Sequence, residues 1–107
     1  MTEKWCVKIL LPLKYNDSTD IEPFKFNRVR EELLTKFGGF TIHPFSYEGA
    51  WINQKDEIKY FDRTKEWEVT MDESEQNKTW LQEYKEKLKE RFKQHQIYMV
   101  VYTVMQI

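Results

Sequence analysis

The residues of this 107-residue chain best equipped for chemistry are His43, Asp62 and Arg63. His43 can gain or lose a proton near neutral pH and so act as an acid or a base. Trp51, Asn53 and Tyr60 lie between it and the Asp62-Arg63 pair, and offer aromatic and amide groups to a ligand. If the segment around 49–61 folds as a short hairpin over a sheet edge, all of these side chains line one shallow cleft. A simpler account competes with that one. Trp51 and Tyr60 would be a cross-strand aromatic pair holding the hairpin, and Asp62-Arg63 would cap a turn.

Other chemistries find less support. His43, His95 and the single cysteine Cys6 show none of the two-to-four-residue spacings typical of metal ligands. The Asn16–Asp20 stretch is polar enough for a calcium loop but lacks its glycine and its distal glutamate. No metal and no other cofactor is therefore expected. A nuclease carboxylate at the end of the first strand would have to be Asp17, which falls several residues beyond it. Seventeen basic against eighteen acidic residues give a net charge of −1, so no global field draws nucleic acid to the chain. Glu66 and Glu68 occupy the positions where an RNA-binding sheet would stack bases, and carboxylates there repel phosphate. The run Lys85, Lys87, Lys89, Arg91 and Lys93 is interleaved with Glu83, Glu86 and Glu90, as on a solvated helix face.

Positioning any of these groups requires a scaffold, and its elements are legible as periodicities. Aromatic residues make up 16% of the chain although its mean hydropathy is −0.78, so the apolar groups must be gathered on defined faces. Trp5, Val7, Ile9 and Leu11 alternate, which predicts a strand that Pro12 ends. Phe26, Val29, Leu33, Leu34 and Phe37 form a helical stripe over about 24–37, with Pro23 at its start and Gly38-Gly39 closing it. Phe40 to His43 reads as a second strand stopped by Pro44. Trp67, Val69 and Met71 mark a third strand over 66–71. Leu81, Tyr84, Leu88 and Phe92 mark a second helix that Ser74 or Asn77 caps. Residues 97–107 form a last strand without a charge.

The order β-α-β-β-α-β predicts one α+β domain over 1–107 with a ferredoxin-like fold. Its antiparallel sheet has strand order 4-1-3-2 and carries both helices on one face, with an extra short hairpin around 49–61. One cysteine excludes an intrachain disulfide. No uncharged run approaches the roughly 20 apolar residues of a membrane span, and the N-terminal apolar stretch is interrupted by Lys8. A cytoplasmic location and no membrane partner are the expectations.

Phe37-Gly38-Gly39-Phe40-Thr41, Gly49-Ala50-Trp51, Tyr60-Phe61-Asp62 and Phe92-Lys93-Gln94 occur in that order. Over roughly residues 30–105 the chain resembles a group of small uncharacterised bacterial proteins of about this length, with F-G-G-x-T, G-x-W and F-x-Q motifs. The resemblance implies a ferredoxin-like fold and carries no activity with it.

The last strand suggests how the protein associates. Ile97, Met99, Val101, Met105 and Ile107 lie on one face, and Tyr98, Val100, Tyr102 and Val104 on the other. Helices cover only one face, so Tyr98, Val100, Tyr102 and Val104 are expected at an interface, with a homodimer the most economical arrangement. The leading expectation is a non-enzymatic ligand-binding or protein-interaction module acting as a homodimer, with an unidentified protein partner also possible. The alternative is a small enzyme of the dimeric α+β-barrel type that uses His43 beside the Trp51–Arg63 hairpin.

Overall fold

A computed structural model describes all 107 residues. The elements run β1 (Thr2–Pro12), α1 (Pro23–Phe37), β2 (Thr41–Ile52), β3 (Lys59–Met71), α2 (Glu75–Arg91) and β4 (Tyr98–Gln106). They form a four-stranded antiparallel sheet in the order β2-β3-β1-β4, the expected 4-1-3-2 read from the other edge. The α+β ferredoxin-like arrangement is thus the observed one.

Alternation builds the core. Val7, Ile9 and Leu11 of β1 and Trp67, Val69 and Met71 of β3 point to the helices, where they meet Val29 and Leu33 of α1 and Leu81, Tyr84 and Leu88 of α2. Phe26 bridges the two layers, its ring 5.3 Å from that of Phe92 and 6.5 Å from that of Trp67. Pro23 opens α1, whose missing N–H costs nothing in a first turn, and Gly38 closes it at φ 83°, a left-handed conformation that glycine adopts freely. Ser74 caps α2 by accepting a hydrogen bond from the Asn77 N–H. One contact between the helices is ionic: Arg91 donates to both carboxylate oxygens of Glu32, at 2.5 and 2.9 Å, and Tyr84 donates to the same group.

The structure departs from the sequence expectations in three places. The hairpin expected around 49–61 is present, but as the far end of the main strands and not as a separate addition. β2 and β3 themselves continue through residues 44–63 as one long hairpin, paired from Ser46↔Lys65 to Ile52↔Lys59. Pro44 does not stop β2, because the strand lies at the sheet edge and its pairing is irregular between Ile42 and Ser46, where a missing N–H breaks no ladder. Leu34, expected on the buried stripe of α1, is exposed, since its position falls past the edge of the face that Val29 and Leu33 bury.

The third departure concerns β4. Ile97 is buried and Met99 partly so, but Val101, Met105 and Ile107 are exposed, on an outermost strand that no further strand flanks.

Candidate functional site

Strand alternation decides which side chains of the long hairpin face inward. Gly49 pairs with Asp62, Tyr47 with Thr64 and Trp51 with Tyr60, so these six positions share one face of the ribbon. The same parity carries that face into Glu66 and Glu68 on β3 and, across β1, into Leu10 and Lys8. The inner face of the hairpin is therefore continuous with the sheet face that bears no helix.

The hairpin reaches as far as the connection between α2 and β4. The Trp51 and Tyr60 rings stack at 4.7 Å, and the His95 ring lies 6.2 and 5.7 Å from them. Between the ribbon and the start of β4 a cleft of about 470 Å³ opens. Tyr47, Trp51, Leu10 and Tyr98 supply apolar walls, while Asp62, Thr64, Lys85 and Gln96 supply polar groups. That composition, mostly apolar with few polar groups, is typical of a small-molecule site.

The hairpin lines the cleft with two carboxylates, an exposed one at Glu48 and a partly buried one at Asp62. A Cβ on Gly49 would stand 2.8 Å from Asp62 Oδ1, so the carboxylate occupies the space that only glycine leaves open. Burial pushes the Asp62 carboxyl above the ordinary aspartate range, although its own backbone N–H offsets part of that rise.

Of the six residues singled out in the sequence, Trp51, Tyr60 and Asp62 are brought together, and Arg63, Asn53 and His43 are not. Arg63 alternates to the outer face and is exposed. Its carbonyl accepts from the Leu13 N–H and so fixes the hairpin base. Asn53 is spent on the turn: its Oδ1 accepts from the Lys55 N–H at 2.9 Å, and its backbone pairs with Ile58 and Glu57. Asp17 likewise serves its own loop, accepting from the N–H and Oγ1 of Thr19 at 3.0 and 2.5 Å.

His43 is on the same sheet face as the cleft but meets other groups. Its Nε2 lies 3.0 Å from Glu66 Oε2 and 3.5 Å from Glu68 Oε1. Lys8 Nζ stands 3.8 Å from the same Glu66 oxygen. Although one side-chain face of His43 is open, the Nε2 atom itself is buried and neither carboxylate meets it along a hydrogen-bonding direction. Cys6 lies beside Glu68. Burial and that carboxylate push its thiol above the usual range, so it is not a poised nucleophile.

Sequence reasoning missed Glu66 and Glu68 as partners of His43. They are separated from it by more than twenty positions, and only the β2–β3 register brings them together. Their i, i+2 spacing on one strand was the available signal.

No protein-family model and no curated protein matches the chain. Its fold is similar to that of a solved phage SAM lyase in complex with S-methyl-5'-thioadenosine, with a TM-score of 0.66 over 96% of this chain and 90% of that one. Sequence identity between the two is 14%, so the likeness is one of fold. No helix of the chain is long and apolar enough to cross a membrane.

Proposed function

We propose that the protein is a small enzyme whose cleft takes a nucleoside thioether or sulfonium, with S-adenosylmethionine as substrate. The cleft itself carries this reading: aromatic walls at Tyr47, Trp51 and Tyr98 beside a desolvated carboxylate at Asp62. The fold it shares with a SAM lyase supports the same choice. Such a reaction asks little of side-chain chemistry. The bond between sulfur and the γ-carbon of the aminobutyrate chain breaks, and its electron pair stays on sulfur, which leaves as neutral S-methyl-5'-thioadenosine. The carboxylate of the same substrate closes onto that carbon. No proton has to be moved and no water is consumed, so holding the substrate folded and dry accounts for the rate.

The role of Asp62 follows from where charge is lost. A carboxylate set against the sulfonium would stabilise the ground state more than a transition state in which that charge disappears. Asp62 is better used as acceptor for the ribose hydroxyls, with an aromatic wall against the purine. Lys85, which also lines the cleft, suits the amino-acid end.

The test is direct. Incubated with S-adenosylmethionine, the protein should release S-methyl-5'-thioadenosine, read by chromatography, and should bind that product in calorimetry. Asp62→Asn should weaken product binding by roughly tenfold or more, as for a lost charge-assisted hydrogen bond. Absence of both turnover and binding at millimolar ligand would remove this reading in favour of a non-catalytic module.

A second reading concerns assembly and rests on β4. Tyr98, Tyr102 and Met105 are 58%, 49% and 56% exposed on an outermost strand that carries no charge. We propose that this strand makes a homodimer contact through Tyr98, Val100, Tyr102 and Val104. The single thiol, Cys6, is free and buried, in keeping with a reducing, cytoplasmic setting.

A further inference from the structure

We propose that His43, Glu66 and Glu68 form a site for one divalent transition metal ion, zinc in the first place, on the sheet face without helices. Their ligand atoms all lie within 4.8 Å of one another. The individual separations are informative. Two donors bound at about 2.1 Å to one metal stand about 3.0 Å apart at a right angle and about 3.4 Å apart at a tetrahedral angle. Nε2 of His43 is 3.0 Å from Glu66 Oε2 and 3.5 Å from Glu68 Oε1.

The orientation of the imidazole points the same way. A histidine held only by hydrogen bonding would aim its Nε2 at one carboxylate, yet this nitrogen is buried and pairs with neither. A buried polar atom without a partner is costly, and a ligand between the three groups would recover that cost.

The scaffold is suited to such a site. Glu66 and Glu68 project from one side of β3, and His43 stands at the irregular stretch of β2 opposite them. All three come from strands rather than from a mobile loop. One imidazole and two carboxylates are a borderline-hard donor set that suits zinc, manganese or iron, and three protein ligands leave a position for water. Two glutamates and a neutral histidine carry −2, which a divalent ion balances. Lys8, 3.8 Å from Glu66, competes for one of these carboxylates and leaves Glu68 free of any lysine or arginine partner. This inference rests on these residues alone and is independent of what the cleft binds.

The experiment is titration of the metal-stripped full-length protein with Zn²⁺ by calorimetry, and with Co²⁺ by visible absorption. One equivalent should bind, with ligand-field bands from cobalt and a rise in melting temperature with zinc. His43→Ala and Glu68→Gln should each weaken binding at least roughly tenfold while still melting cooperatively. Each variant is first checked for a wild-type-like melting transition, and His95→Ala, a histidine outside the cluster, serves as the control that keeps full affinity. No saturable binding of either metal by the wild type would overturn the proposal. So would affinity unchanged in His43→Ala, or lost equally in His95→Ala.

Discussion

Gly49 and Asp62 face each other across the β2–β3 hairpin so closely that the carboxylate takes the place of a side chain. The missing Cβ would sit 2.8 Å from Asp62 Oδ1. Gly49→Ala should therefore push Asp62 out of the cleft. Alanine has the better strand propensity, so stability should change by less than about 1 kcal/mol. Ligand affinity should nevertheless fall as far as in Asp62→Asn. Melting curves together with product-binding calorimetry check both halves of this expectation.

Asp62 also sets a pH dependence. Its folded-state pKa is raised by burial, so protonation favours the folded form. Its contribution is full below the ordinary aspartate pKa and is lost as pH rises through the elevated folded value. Asp62→Asn should melt above the wild type at neutral pH, and the difference should vanish in acid. A variant that melts below the wild type at neutral pH would show that the ionised carboxylate stabilises the hairpin instead.

Glu32 behaves in the opposite sense. Burial alone would raise its pKa, but hydrogen bonds from Arg91 and Tyr84 outweigh that and hold it below the usual range. The stability it supplies is present above the ordinary glutamate pKa and is lost as pH falls through the depressed one. Glu32→Gln should cost about 2 kcal/mol at neutral pH, less than for a fully buried pair because the glutamate is partly exposed. Urea denaturation at pH 7 and again near pH 3 should show that loss shrinking in acid. Equal losses at both values would mean that the tie is not ionic.

Trp51→Ala tests the hairpin itself. A fully buried ring would cost on the order of 3 kcal/mol, but Trp51 is only half-buried against Tyr60. A loss of about 1.5 kcal/mol is expected. A negligible loss in a denaturant melt would show that the ribbon is not held by this pair.

Self-association is tested by Tyr102→Glu. The wild type should sediment as a dimer at tens of micromolar and the variant as a folded monomer. A monomeric wild type would leave the β4 face to a different protein.

Much of the scaffold was legible because β1, β3 and both helices each bury one face, and a single buried face writes a clean period. The reading failed where that condition failed. β2 lies at an edge and tolerates Pro44 in mid-strand, so a proline that should have ended it did not. β4 is apolar on both faces, yet most of its second half is exposed, because composition records no neighbour. The same limit applies to the site. Trp51, Tyr60 and Asp62 are close in sequence and do group together, whereas His43, expected with them, meets Glu66 and Glu68 through a cross-strand register that no local spacing encodes.

The position of β1 between β3 and β4 has a consequence for how the chain is made. Thr2 pairs with Gln106, and every residue from Thr2 to Leu10 has its partner on β4. On a ribosome β1 must wait, with one edge open, until β4 has left the exit tunnel. Local helix formation cannot shorten that delay, and sheets closed by such distant pairings are slow to form. Losing the last ten residues would therefore leave more than an edge unfinished. It would expose β1, the strand that carries Val7, Ile9 and Leu11 of the core, to whatever unpaired strand reached it first.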